Sequence, residues 1–101
     1  MRLPWVAGPA LLALAFAAHG EELGLKVFTQ VAQPPCLACH TLKAAGAEGT
    51  IGPSLDELKP SKDQALQAVR NGVGIMPAFR DKLSSEQIEA VARFVAESAG
   101  K

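Results

Sequence analysis

Cys36-Leu37-Ala38-Cys39-His40 places two thiols three positions apart, with an imidazole directly after the second. Two thiols at that spacing can add to the two vinyl groups on one side of a porphyrin, and the adjoining His is then held over the iron. Covalent capture also keeps the cofactor from leaving in a dilute extracytoplasmic space. Three other uses of the motif compete. A thiol-redox C-x-x-C usually sits at a helix N-terminus after a strand, in a βαβ pattern, and no such pattern flanks these residues. A zinc site needs four ligands, whereas the chain from Glu21 onward has only three Cys and His in all. A structural disulfide closes so short a loop that it removes little unfolded-state entropy, and it leaves His40 without a role. The pattern points to one covalently bound haem, with His40 on the iron.

A second axial ligand is constrained by scarcity. From Glu21 onward, Met76 is the only Met and His40 the only His. An isolated Met usually fills a gap in a core. Met76, however, lies in Gly74-Ile75-Met76-Pro77, a loop sequence rather than a helical stripe. A Lys could substitute, but it would first have to deprotonate. His/Met ligation raises the haem potential and closes the iron to substrate, which favours electron transfer over catalysis. Gly52-Pro53-Ser54-Leu55 is either a plain turn or the source of a carbonyl that fixes the second nitrogen of His40. Spacing alone leaves both open.

These residues need a scaffold, and 101 residues allow one domain. The chain opens with Met1-Arg2, and Val6 to Ala18 is almost unbroken Ala, Leu, Val and Phe, ending in the A-x-A-like Ala15-Phe16-Ala17-Ala18. This predicts a secretory leader over residues 1–20, cut between about 17 and 20, and a periplasmic domain over 21–101. The run is shorter than the roughly 20 apolar residues of a spanning helix and contains Pro9, so no stable membrane anchor is expected. From Glu21 onward, nine Lys and Arg face ten Asp and Glu. That balance offers no basic excess for nucleic acid or an anionic membrane. A domain this small sits at the lower edge of what one core can stabilise, and a large apolar cofactor would enlarge that core.

Three helices are predicted, so the class is all-α. The first runs from about Glu22 to Gln33, with Gly24, Val27, Phe28 and Val31 on one face and Pro34-Pro35 as its stop. The second follows Ser61, whose partner Gln64 completes a capping box. Ala65, Leu66, Ala68 and Val69 form its apolar side, and Asn71-Gly72 closes it. The third follows Ser84 with Gln87, carries Ile88, Val91, Ala92, Phe94 and Val95, and ends at Gly100. Thr41–Lys59 and Gly72–Asp81 are expected as loops, with no strand pattern. Lys43, Arg80 and Lys82 are expected at the surface, solvated or steering a partner.

Taken in order, these pieces resemble the class I c-type cytochromes over roughly Glu22–Ala99. Gly24-x-x-x-Phe28 resembles the N-terminal helix that crosses the C-terminal helix through a Gly, and Phe94 matches an aromatic of the latter. Cys36, Cys39 and His40 match the haem motif, Pro53 the loop Pro whose carbonyl accepts from the axial His, and Met76 the distal Met. The resemblance implies the cytochrome c fold, with three main helices around one haem c, and a carrier of single electrons between redox partners. Asn71–Phe79 with Leu83-Ser84 is similar to the short bacterial and photosynthetic members. Cys39–Lys43 with Gly52–Leu58 resembles the cytochrome subunit of bacterial sulfite dehydrogenases. This implies either a soluble shuttle or the electron-accepting, non-catalytic subunit of a dehydrogenase. The strongly basic haem face of mitochondrial-type members is missing, so their partners are not implied. Two rivals make different predictions. A gas-binding haem protein with a displaceable Met ligand would take up carbon monoxide rapidly, and a thiol redox protein would hold titratable thiols and no haem.

Overall fold

A computed structural model describes residues 19–101. Up to residue 18, the expected leader lies outside the described residues. His19 and Gly20 already belong to α1, which occupies residues 19–31 and winds its last turn, Val27–Val31, as a π-helix. The chain continues through a 3-10 turn at Cys36–Ala38, β1 (Thr41–Leu42), a second 3-10 turn at Lys43–Ala45 and β2 (Ala47–Glu48). Three helices follow: α2 (Leu55–Leu58), α3 (Lys62–Asn71) and α4 (Ser85–Ser98).

α1 ends earlier than the expected Gln33, at Val31, and the π turn changes which residues it buries. The Ala32 N–H donates to the Val27 carbonyl at 3.1 Å, closing a wider ring than an α-helical bond. The extra residue rotates the stripe by one position. Val31, expected on the buried face, is 36% exposed, and Ala32 takes its place at 1%. Gly24, Val27 and Phe28 are buried as expected.

α3 and α4 begin where their capping boxes put them. Ser61 and Gln64, and Ser84 and Gln87, each exchange side-chain and backbone hydrogen bonds in both directions. Each box satisfies two of the N–H groups that a helix start leaves unpaired. α3 buries Ala65 and Val69, while Leu66 and Ala68 are half-buried. α4 buries Ile88, Val91, Ala92, Phe94 and Val95, the stripe its periodicity predicts. It ends at Ser98, two residues before the expected Gly100, which adopts a left-handed φ of 76° just beyond the helix. The two helices pack together and share an exposed ion pair, Lys62 Nζ to Glu89 Oε1 at 2.8 Å.

The segment expected as a featureless loop holds more structure. β1 and β2 pair antiparallel, Thr41 opposite Glu48 and Leu42 opposite Ala47, around Gly46 at φ 64°. Strands of two residues are too short to show a period of two, so the alternation that reveals longer strands is missing. α2 was marked only by its cap: the Ser54 hydroxyl accepts from the Glu57 N–H, with Asp56 and Glu57 in the first turn.

α1 crosses α4 at Gly24. A Cβ there would lie 2.5 Å from the Phe94 Cβ and 2.6 Å from the Ala90 carbonyl oxygen. Neither atom can swing aside, so the close approach requires Gly. One turn along, the Phe28 and Phe94 rings meet edge to face with centroids 6.1 Å apart, an arrangement the aromatic quadrupole favours. We expect Gly24→Ala to force the helices apart and lower stability by about 1–3 kcal/mol, the usual range for overpacking. Urea unfolding of the haem-loaded protein checks this.

Candidate haem site

Pro34 and Pro35 stop α1 and deliver the chain, extended at Pro35, into the 3-10 turn of the cysteine motif. Within it, the Cys36 carbonyl accepts from the N–H groups of both Cys39 (3.2 Å) and His40 (3.0 Å). This tight turn keeps Cys36, Cys39 and His40 on one short stretch of backbone. Both cysteines are half-buried. The apolar surroundings of Cys36 push its thiol up to about 11, with the neighbouring Cys39 acting in the same direction. A reactive redox cysteine is tuned the opposite way, towards thiolate at neutral pH. Among the described residues no three His, Cys, Asp or Glu are grouped to hold a metal ion by themselves.

The 49–53 segment is stitched against this turn. The Gly49 N–H donates to the His40 carbonyl (3.2 Å), and the Gly52 N–H donates to the Cys39 carbonyl (2.7 Å). The Thr41 hydroxyl donates to the Gly49 carbonyl at 2.9 Å. A Cβ on Gly49 would fall 2.7 Å from the Ala38 and Cys39 backbone, so no side chain fits there.

The segment brings the Pro53 carbonyl to His40, its oxygen lying 2.7 Å from Nδ1. A carbonyl can only accept, so Nδ1 must carry the proton. The neutral ring then keeps its lone pair on Nε2, the form needed to ligate a metal. Of the two roles that spacing left open for Gly52–Leu55, the carbonyl that accepts from His40 is the geometry found.

Met76 lies in the loop that follows α3. Gly72 turns the chain with φ 78°, and Val73 and Met76 then exchange backbone hydrogen bonds of 3.1 and 2.9 Å. The Phe79 N–H returns to the Val69 carbonyl at 2.8 Å, and Phe79 and Leu83 bury their side chains. Met76 is half-buried and packs against the same cluster as Cys36 and Leu37. Of the surface cations, Arg80 donates to the Asn71 side chain and so ties this loop to α3. Lys82 lies over the Phe79 ring at 5.6 Å, its Nζ 3.5 Å from the Gln33 carbonyl. Lys43 is exposed.

Asp56 was not among the expected site residues. Its Oδ2 accepts from the Lys43 N–H and its Oδ1 from the Gly100 N–H, both at 2.8 Å. The only signal in the sequence was a carboxylate in the first turn after a Ser cap, which ordinarily means no more than a favourable helix start.

A family model described as "Cytochrome C oxidase, cbb3-type, subunit III" matches residues 22–95. The chain is 32% identical over 100 residues to the chloroplastic cytochrome c6 of Chlamydomonas reinhardtii, covering 89% of this chain and 65% of that protein. It thus spans just under two thirds of the algal protein's length. It is 34% identical over 70 residues to cytochrome c6 of Leptolyngbya boryana, covering 65% of this chain and 82% of that one. Its structure resembles the c-type cytochrome SorU from Sinorhizobium meliloti with a TM-score of 0.80 and 46% identity, covering 83% of this chain and 95% of that one. The chain belongs to the cytochrome family these matches define: it is a class I c-type cytochrome, an electron carrier rather than an enzyme, with one covalently bound haem c. The donor set fits that cofactor, because the two cysteines stand in the C-x-x-C-H motif and His40, bonded through Nδ1 to Pro53, leaves Nε2 as its ligating nitrogen.

Two outcomes follow from this geometry. A Cβ on Gly52 would lie 2.7 Å from Cε1 of the imidazole, which is pinned by its bond to Pro53. Gly52→Ala should therefore displace the ring, cost about 1–3 kcal/mol and perturb the low-spin haem spectrum. Asp56 supplies a pH dependence. The N–H groups of Gly100 and then Lys43 hold its carboxyl below the ordinary range. A depressed carboxyl pKa stabilises the fold fully above the unfolded value, near 3.9, and loses that contribution as pH falls through the folded one. Thermal unfolding below about pH 4 should show this loss, and it should be blunted in Asp56→Asn.

Proposed function

We propose that this chain is exported, with its leader cut between about residues 17 and 20, and works in the periplasm as a monohaem carrier. In this reading Cys36 and Cys39 would hold the haem through thioethers, and His40 Nε2 and Met76 Sδ would ligate its iron. The bound haem supplies a one-electron couple. The observation that carries the reading is the 2.7 Å approach of the Pro53 carbonyl to His40 Nδ1, directly behind the C-x-x-C-H turn. It fixes the tautomer and the ring plane, and so would reduce rearrangement when the iron changes charge. Burial raises the Cys36 thiol to about 11, the opposite of the depressed thiol that cycling between thiolate and disulfide uses.

We further propose that the carrier accepts electrons from a catalytic dehydrogenase, such as sulfite dehydrogenase, and passes them to a terminal acceptor. Support comes from the resemblance of Cys39–Lys43 and Gly52–Leu58 to the cytochrome subunit of those enzymes. These two segments are hydrogen-bonded to each other in the structure. Ile51, Val73 and Ile75 project from the two loops beside the proposed ligands, 65%, 64% and 86% exposed. Small apolar surfaces of this kind suit the brief contacts of electron transfer. Lys43 remains exposed to steer a partner, whereas Arg80 and Lys82 are engaged within the chain.

Expression with a cytochrome c maturation system should give a pyridine haemochrome spectrum with one haem per chain. A protein without haem would defeat the reading. Met76→Ala should abolish the sulfur-to-iron band and lower the reduction potential by on the order of 0.1 V, within the roughly 0.8 V that axial ligation spans. Retention of the band would remove Met76 as a ligand. Reduction of the carrier by a periplasmic extract on addition of sulfite tests the partner.

A further inference from the structure

We propose that Asp56 is a positioning residue for the iron ligand, acting by holding α2 so that the Pro53 carbonyl stays on His40. The inference rests on the haem reading above. α2 has four residues, Leu55–Leu58, too few to define its own place by helix formation. Pro53 lies immediately before its cap, so wherever α2 sits, the Pro53 carbonyl follows.

Beyond the Gly52 N–H to Cys39 carbonyl bond, two bonds join this segment to the haem motif, and each also spans thirteen residues: His40 Nδ1 to the Pro53 carbonyl at 2.7 Å, and Lys43 N–H to Asp56 Oδ2 at 2.8 Å. They form two rungs between chain segments that both advance by three residues. The Gly52 and His40 rungs both meet the segment before α2, so neither stops the helix from pivoting about the Pro53 oxygen. The Asp56 rung stops the pivot. The other carboxylate oxygen adds a third point, accepting from the Gly100 N–H beyond the end of α4 at 2.8 Å. One carboxylate thus ties the helix that crosses α1 to the segment that orients His40.

The chemistry of the side chain suits this role. A carboxylate offers acceptors only, and here each oxygen meets one backbone N–H. An amide in its place would turn an N–H towards one of the two donors. A hydrogen bond from the second nitrogen of an iron-bound imidazole raises its basicity and so favours the oxidised metal. Loosening the Asp56 rung should weaken that bond and raise the reduction potential.

The test compares haem-loaded wild type with Asp56→Ala, Asp56→Asn and a control, Ile88→Val, which thins the α4 core away from the site. Potential is read by redox titration, and exchange of the His40 Nδ1 proton with solvent by NMR. Asp56→Ala should give a more positive potential and about tenfold faster exchange, the factor that weakening the bond by about 1.4 kcal/mol would give. Asp56→Asn should move both in the same direction by less. Ile88→Val should lower the denaturation midpoint and move neither. The proposal is overturned if Asp56→Ala loses stability while its potential and exchange match wild type. If that variant does not accumulate, Asp56→Asn with both readings unchanged overturns it equally. Wild type without haem would defeat the haem reading and this inference together, whereas haem-loaded wild type with unresponsive Asp56 variants defeats this inference alone.

Discussion

The hydrogen bond from His40 Nδ1 to the Pro53 carbonyl, 2.7 Å long, is the contact around which the site is arranged. It joins a side chain to a backbone atom thirteen residues away, so it exists only if the intervening chain folds back accurately. The β1–β2 hairpin, the tight approach of Gly49 to the Ala38 backbone and the Gly52 N–H to Cys39 carbonyl bond all serve that return. Each removes freedom from the 41–53 segment. What remains is an imidazole with a set tautomer and little room to rotate, since even a methyl on Gly52 would strike it.

The rest of the domain supplies rigidity for that segment. α1 and α4 cross at the distance a Gly permits, and their Phe28 and Phe94 rings lock the crossing. α3 packs on α4 and sends out the loop that carries Met76, with Phe79 returning to Val69 and Arg80 to Asn71. Asp56 then links the end of α4 to the hairpin. Mechanical continuity therefore runs from the helix crossing to the histidine. A small domain has little core to spare, and a shared cluster under both Cys36 and Met76 lets the same apolar contacts serve stability and cofactor binding.

A carrier of single electrons gains from such restraint. Its cofactor changes charge without bond making or breaking, so every group that must move with the charge slows transfer. A ring bonded at Nδ1 and cysteines at the two ends of one 3-10 turn have little freedom to move. The surface next to them is different in character. Ile51, Val73 and Ile75 stand largely in solvent.

Much of this was legible in the order of residues. The C-x-x-C-H motif declares its chemistry because thiol spacing and the adjacent imidazole are local properties of the chain. The starts of α3 and α4 follow from Ser-x-x-Gln boxes, which satisfy backbone donors within four residues. The crossing of the terminal helices was signalled by Gly24, Phe28 and Phe94, though only resemblance linked them. Other features required the folded molecule. The π turn moved Ala32 into the place expected for Val31, because its wider winding is set by how α1 meets its neighbours. The two-residue strands and α2 are too short to carry a periodic signal. Whether Pro53 merely turned the chain or fixed His40 was undecidable from spacing, and Asp56 gave no hint of joining Lys43 to Gly100. Sequence by itself determined the groups that do chemistry and the helices whose caps are local. Tertiary structure decided which distant backbone atoms those groups meet, because a hydrogen bond across thirteen or forty-four residues depends on the path of everything between.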